Sequence, residues 1–329
     1  MIYEGIEFYN IQEIREEKEG LVLSRVPESV RKKLNPHART NAWSPAGSEM
    51  RFCLEGELEV ELLVEGTWEG VVEVFQGDFF YDRKIVGEKA TRISVQPFGD
   101  WKKLRDYKIS RRFSPRITRI LFPHQGMVRI KDIRIRGKVK PPSPENVPSV
   151  KYLTYGSSIT QGILSLHPSG TYAMITAENL GVDLINLGFG GGAHCEKEIA
   201  DYIGGRDDWD FASLEVGINM LVDFSPEEFE RRVRYLVEKI SSLHRDKPIF
   251  VIDIFTCRWD VEGWEKVNVF REIVREICKE KSGRNVYHLE GRELLPDFSG
   301  ICVDLVHPDE QGMRVIAKNL TQRIRELLT

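Results

Sequence analysis

The sequence predicts two domains: an all-β jelly-roll or sandwich over residues 1–140, and an α/β domain over 149–329 with a doubly wound, parallel five-stranded sheet. Three observations predict this. A proline cluster interrupts the chain, period-two alternation precedes it, and apolar runs alternate with helical stripes after it. The length of 329 residues agrees, at roughly 150 residues per domain.

The cluster is Gly137-Lys-Val-Lys-Pro141-Pro142-Ser143-Pro144-Glu-Asn-Val-Pro148, read as a linker over 141–148. Prolines at this density exclude a helix or a central strand and favour extended chain. Before it, Arg51-Phe52-Cys53-Leu54 and Glu57-Leu58-Glu59-Val60-Glu61-Leu62 place apolar residues at even positions, the mark of strands with one wet face. Glu55-Gly56 reads as the turn between two short strands. Val128 and Ile130, followed by Ile133 and Ile135, keep the alternation but slip phase by one residue, which implies a bulge near Lys131-Asp132.

After the linker, five apolar runs read as buried strands: Val150 to Tyr155, Val182 to Asn186, Phe211 to Val216, Ile249 to Ile254 and Val286 to Leu289. Between them Phe229, Val233, Leu236, Val237 and Ile240 fall at helical spacing, behind a capping box at Ser225-Pro-Glu-Glu228. Val267, Phe270, Val274 and Ile277 make a second stripe, and Val315, Ile316, Leu320, Ile324 and Leu327 a third. Alternation of this kind gives right-handed crossovers and a parallel sheet covered on both faces.

Composition narrows the function. Hydrophobic residues make up 41% and charged residues 30%, as in a folded globular chain, and no apolar stretch reaches the roughly 18–20 residues that span a bilayer. A net charge of −4 gives no general reason to expect nucleic acid. Cys53, Cys195, Cys257, Cys278 and Cys302 are scattered and odd in number, with no Cys-x-x-Cys pair, so reduced thiols in a cytoplasmic protein are expected. The start, Met1-Ile2-Tyr3-Glu4, has no signal-peptide character.

In a sheet of this type ligands bind beyond the carboxyl ends of the strands. The first strand is followed there by Tyr155-Gly156-Ser157-Ser158-Ile159-Thr160-Gln161-Gly162, and the second by Asn186-Leu-Gly188-Phe-Gly190-Gly191-Gly192, whose four glycines let backbone approach a ligand. Gly217-Ile218-Asn219 follows the third, and Asp304-Leu-Val-His307-Pro308 comes after the fifth. A hydroxyl, hydrogen-bond donors and an acid–histidine pair thus share one edge. Singly, each is a common turn or a chance spacing.

Together, in this order, the blocks resemble the SGNH (GDSL-type) hydrolase superfamily, over about residues 149 to 329. The resemblance implies a serine esterase without metal or cofactor. It places the nucleophile at Ser158, the general base at His307 and its orienting acid at Asp304. It assigns oxyanion donors to the backbone N–H groups of Ser158 and Gly191 and to the Asn219 amide. Ser157 stands where the family has aspartate, and Met220 where an aspartate often follows the asparagine. Ser157 is the neighbouring rival nucleophile, and register with the family block selects Ser158. The Gly-Ser-Ser-Ile-Thr form beside an N-terminal β-domain resembles two-domain bacterial esterases that include carbohydrate acetyl esterases. That implies a small-molecule or oligosaccharide ester as substrate, with no nucleic-acid or membrane partner; a homo-oligomer stays open.

Several residues keep two readings. Ser157, Arg258 and Trp259 could line the substrate pocket, with Trp259 equally a packed loop anchor. His194 and Glu196 could approach the site, but helix-start or surface roles suit them better. Glu215, in a central strand, needs a hydrogen-bond partner or a raised pKa, and a structural partner is the simpler account. Trp43, Trp68, Phe79, Phe80, Tyr81 and Trp101 could stack on sugars, although aromatics in sandwiches are commonly core. Two other functions fit the same residues: a lipid, aryl or thioester acyl hydrolase or acyltransferase, and an inactive carbohydrate-binding protein.

Overall fold

The computed structural model of the chain describes residues 1–65, 69–97, 99, 103, 112–281, 283 and 285–328. Its antiparallel part contains β1 (Ile2–Tyr3), β2 (Ile6–Tyr9), β3 (Glu13–Glu17), β4 (Gly20–Ser24), β5 (Glu49–Glu65), β6 (Gly70–Gln76), β7 (Phe79–Val86), β8 (Thr91–Val95), β9 (Ile117–Leu121) and β10 (Met127–Lys140). The strands run in the order β3-β4-β10-β5-β9-β6-β7, with β2 and β8 also paired to β5. Together they form the N-terminal β-sandwich domain. Leu58, Val60, Leu62 and Val64 of β5 are fully buried, while the glutamates between them stay half-buried, as the alternation requires. They share a core with Phe8, Phe52, Val74, Ile120 and Phe122. Each such side chain contributes about 1.5–3 kcal/mol by leaving water.

The expected turn at Glu55-Gly56 is absent, because β5 continues through it as one 17-residue strand. Gly56 pairs with Gly137 of β10, at φ +122° and +134°. A Cβ on Gly56 would lie 2.1 Å from the Arg136 carbonyl oxygen, and one on Gly137 2.0 Å from that of Glu55. The glycines therefore serve close approach of two long strands, not chain reversal. The phase slip is a real bulge, with the β10–β5 register shifting between Ile130 and Asp132.

Two short helices, α1 (Glu28–Arg31) and α2 (Pro36–Asn41), interrupt the β4–β5 connection. Asn35 caps α2 by accepting from the Ala38 N–H, and Pro36 occupies its first turn. The expected linker is not wholly extended, since Pro144–Asn146 forms a 3₁₀ turn whose Asn146 carbonyl accepts from the Ser114 N–H.

The α/β domain follows. Strands β11 (Lys151–Gly156), β12 (Asp183–Gly188), β13 (Phe211–Glu215), β14 (Ile249–Ile252) and β15 (Val286–Leu289) are parallel, in the order β12-β11-β13-β14-β15. Its helices are α3 (Ser158–Gln161), α4 (Tyr172–Leu180), α5 (Lys197–Gly204), α6 (Pro226–Leu243), α7 (Arg258–Val261), α8 (Lys266–Glu280), α9 (Gly291–Leu294) and α10 (Glu310–Leu328). Apolar faces of α5, α6 and α8 cover one side of the sheet, and those of α4 and α10 the other. Only half of the capping box at α6 forms: Ser225 accepts from the Glu228 N–H, while the Glu228 carboxylate pairs with Arg231 and Arg232. All five cysteines are unpaired. Among the described residues no helix is long and apolar enough to cross a membrane.

Buried polar contacts join the two sheets. Arg51 of β5 forms a bidentate pair with Asp183 at the start of β12, at 2.6 and 2.7 Å, and its guanidinium stacks on Tyr9. On another side, His167 lies between Glu73 of β6 (3.1 Å) and Glu310 of α10 (3.5 Å). Its hydrogen bond to Glu73 raises its pKa above the ordinary 6.5, against the opposing effect of burial. Stabilisation from a raised histidine is complete below the unfolded value and lost as pH climbs through the folded one. The melting temperature of the parent is therefore expected to decline above pH 6.5 more steeply than that of His167→Gln. Equal slopes in a melting series across that range would show that the bridge contributes nothing.

Candidate active site

Strand β11 ends at Gly156, where a Cβ would lie 2.2 Å from the Thr160 hydroxyl and 2.6 Å from Glu215 Oε2. Glycine lets the chain turn there directly into α3. Ser157 caps this helix, its Oγ accepting from the Ile159 N–H at 3.1 Å, and Ser158 occupies the first turn with its N–H unused by the helix. The turn rests on Glu215, whose Oε2 accepts from the Ser157 N–H at 2.6 Å and the Thr160 hydroxyl at 3.0 Å. Complete burial raises the Glu215 pKa, opposed by those hydrogen bonds.

The Ser158 Oγ lies 2.8 Å from His307 Nε2, and His307 Nδ1 lies 2.6 Å from Asp304 Oδ2. Asp304 Oδ1 also accepts from the N–H groups of Val306 and His307, at 2.9 and 3.0 Å, which folds the loop so that acid and ring meet. Burial opposes ionisation of Asp304, yet hydrogen bonds from His307 and the two amides hold its pKa below the ordinary carboxylate value. A carboxylate in this state holds the imidazole with Nδ1 protonated and Nε2 free to accept a proton from the serine.

Hydrogen-bond donors stand in the neighbouring loops. A Cβ on Gly190 would lie 3.5 Å from the Ser158 Cβ, so the glycine loop borders the serine. In that loop the Gly190 N–H donates to Gln161 Oε1 at 2.7 Å, the Gly192 N–H to the Phe189 carbonyl at 2.9 Å, and the Ala193 N–H to Asn219 Oδ1 at 3.1 Å. The Gly191 N–H has no acceptor among the described residues. Because Asn219 Oδ1 accepts from Ala193, the Asn219 amide nitrogen is left to donate elsewhere. The Ser158 and Gly191 N–H groups and the Asn219 amide are thus among the donors of these three loops that have no acceptor among the described residues. A hydroxyl with a hydrogen-bonded base beside such donors can perform acyl transfer.

Residues 150–325 match the model of the GDSL-like Lipase/Acylhydrolase family. The chain belongs to this family.

Among solved structures, the GDSL-like chain is similar to the salicylyl-acyltransferase SsfX3 from a tetracycline biosynthetic pathway. The TM-score is 0.81 at 18% identity, covering 98% of this chain and 95% of that one. A protein described as a GDSL-like lipase, from Bacteroides ovatus ATCC 8483, gives 0.74 at 20% identity, covering 98% and 97%. A family two carbohydrate esterase from Clostridium thermocellum, solved with cellohexaose, gives 0.63 at 16% identity, covering 98% and 99%. These likenesses carry the two-domain fold. No curated protein matches the chain.

The remaining expected residues of the GDSL-like site are placed differently from one another. Ser157 is fully buried and spent on capping, so it does not line a pocket. The Arg258 side chain pairs with Glu262, while its backbone N–H donates to the Leu305 carbonyl at 2.7 Å and so supports the Asp304–His307 loop. Trp259 packs with Trp264 against the core. His194 stacks edge-on against Phe224, and the Glu196 carboxylate receives Asn35 of the N-terminal domain. Trp43 lies beneath the guanidinium groups of Arg15 and Arg31, whereas Phe80 and Tyr81 are exposed and not core. Trp68 and Trp101 lie outside the described residues. Among the described residues no group of His, Cys, Asp or Glu could hold a metal ion.

Sequence reasoning missed the N-terminal contribution entirely. Helix α2 sets His37 against Gly191, about where a Cβ would lie 3.5 Å from the ring, and Asn41 and Arg25 reach the glycine loop from the same side. Asn35-Pro36 is a helix-start signature that could have revealed α2 within an otherwise β-patterned region.

Proposed function

We propose that this chain is a serine esterase that removes a short acyl group, acetyl above all, from a carbohydrate ester through an acyl-enzyme. The hydrogen-bonded chain from Ser158 through His307 to Asp304, beside unengaged N–H donors, carries this reading. Ser158 Oγ attacks the ester carbonyl as His307 Nε2 takes its proton. The resulting oxyanion is met by the N–H groups of Ser158 and Gly191 and by the Asn219 amide. Collapse expels the alcohol, which receives the proton from His307, and water repeats the sequence on the acyl-enzyme to release the acid. Support for a sugar ester comes from the resemblance to two-domain carbohydrate esterases and the likeness in fold to the family two enzyme.

One observation favours a second reading, an apolar ester or acyl acceptor. Val303 is wholly exposed and Leu305 partly so in the loop that carries Asp304 and His307, and Leu164 and Leu166 are exposed just beyond the Ser158 turn. Leu164 and Leu305 also sit at φ +69° and +56°, a costly conformation for leucine. Acetate release from acetylated sugars, set against p-nitrophenyl esters of increasing chain length, tests both. Preference for acetylated sugars supports the first reading, and rates that climb with chain length overturn it in favour of the second.

The donor role of Asn219 is tested by Asn219→Asp, which keeps the acceptor for Ala193 and replaces the amide donor by oxygen. Its kcat is expected to fall about 10²–10³-fold with the fold retained. A kcat near that of the parent would remove Asn219 from the oxyanion site.

A further inference from the structure

Between Gly188 and Ala193 three of the five peptide planes are held at both edges by hydrogen bonds. The Phe189 N–H donates to the Gly156 carbonyl at 2.8 Å, and the carbonyl of the same plane, on Gly188, accepts from Arg25 at 2.8 Å. In the next plane the Gly190 N–H is held by Gln161 and the Phe189 carbonyl by the Gly192 N–H. Further on, the Ala193 N–H is held by Asn219, and the Gly192 carbonyl accepts from Asn35 Nδ2 at 2.9 Å. The plane between Gly190 and Gly191 is held on its carbonyl side, and the following plane by its Gly192 N–H. The Gly190 carbonyl accepts from Asn41 Nδ2 at 2.8 Å, while the Gly191 N–H is unengaged among the described residues.

The plane between Gly190 and Gly191 is free to flip unless its carbonyl is held. Rotating it requires only ψ of Gly190 and φ of Gly191 to change, and neither residue has a Cβ to resist. Gly191 already sits at φ +65°. In a trans peptide the C=O and N–H point in opposite directions, so a donor fixed on the Gly190 oxygen aims the Gly191 N–H the other way. Asn41 is itself fixed, its carbonyl accepting from Arg25 at 2.8 Å and its amide also donating to the His37 carbonyl at 3.0 Å. A hydrogen bond on the carbonyl also polarises the plane and strengthens its N–H as a donor.

We propose that Asn41, in the N-terminal domain, is a positioning residue that aims the Gly191 N–H at the oxyanion, so that the reaction site is completed across the two domains. The inference rests on the esterase reading above and adds a residue to it. Asn41 touches no reacting atom, and its effect belongs to the charged transition state alone. Loss of the bond is therefore expected in kcat and not in KM.

The test uses the full chain with p-nitrophenyl acetate and a trifluoromethyl ketone. The ketone accepts Ser158 Oγ at its carbonyl carbon, the proton passes to His307, and the π electrons become an oxyanion in the same place. In Asn41→Leu, kcat is expected to fall about 10–100-fold and the ketone to bind weaker by the same factor, with KM within about twofold. Should the leucine variant not fold, the isosteric Asn41→Asp supplies the same comparison. A kcat and ketone affinity within about twofold of the parent, or a loss confined to KM, would overturn the proposal. A failure of the underlying reading looks different: Ser158→Ala would keep its activity and the parent would not bind the ketone covalently.

Discussion

Ester hydrolysis by Ser158→Ala is expected to drop by about 10⁴-fold or more, because the oxygen proposed to attack the ester is removed while the fold is untouched. Ser158 is 9% exposed in the first turn of α3, and among the described residues its side chain bonds only to His307, so alanine leaves no buried group unpaired there. The neighbouring serine cannot substitute. Ser157 is fully buried, caps the helix and donates its N–H to Glu215. Labelling by a fluorophosphonate should disappear in the same variant. In the proposed mechanism serine and histidine act as one unit, so Ser158→Ala/His307→Ala should be no slower than either single change. Asp304→Ala should do more than remove a charge, since Asp304 also holds the Val306 and His307 amides. Steady-state rates from protein purified in an esterase-free host, with circular dichroism as a check on folding, decide the matter. Retained turnover in Ser158→Ala would exclude this serine as the nucleophile.

The second large effect is on stability. Arg25 is fully buried, and its guanidinium donates to the carbonyls of Ser44, Asn41, Asn186 and Gly188, with Phe189 beneath it. No carboxylate faces it among the described residues, and burial lowers its pKa to about 9, so it remains charged at neutral pH. Arg25→Met keeps the length of the side chain but removes a donor from four carbonyl oxygens on both domains: those of Asn186 and Asn41 keep the Asn10 amide and the Ser44 N–H, while those of Ser44 and Gly188 have no other donor among the described residues. The cost is expected to be about 3–5 kcal/mol, by analogy with removing one partner of a buried charged network. For a chain of this size that corresponds to a fall of roughly 10 °C in Tm. A control at an exposed pair, Arg275 with Glu272, should change stability by less than about 0.5 kcal/mol. Thermal melting of both variants provides the comparison, and a Tm for Arg25→Met within 2 °C or so of the parent would show that solvent takes over those carbonyls.

Much of the α/β half is legible in the chain because its signals are local. Each of the five apolar runs became a strand, and Gly156-Ser157-Ser158 became a strand-to-helix turn because glycine, cap and first turn lie within three residues. The β-sandwich was harder. Gly56 carries the same local signal whether it reverses the chain or admits a neighbouring strand, and only its pairing with Gly137 separates the two cases. Ser157 and Glu215 show a related limit. Their types suggested chemistry or strain, but burial and mutual hydrogen bonding, invisible in one dimension, make them the support of the turn that carries Ser158.

By itself the sequence determined the two patterns of secondary structure, the order of the blocks and the family they belong to. Those features depend on residues a few positions apart, through the periods of strand and helix and the stereochemistry of glycine, proline and caps. Tertiary structure alone decided what surrounds the blocks. Arg25 meets Gly188 across 163 positions, and Asn41 meets Gly190 across 149. Neither residue belongs to a motif, because a donor to a backbone carbonyl needs only the right place in space, and that place is fixed by the packing of one domain on the other.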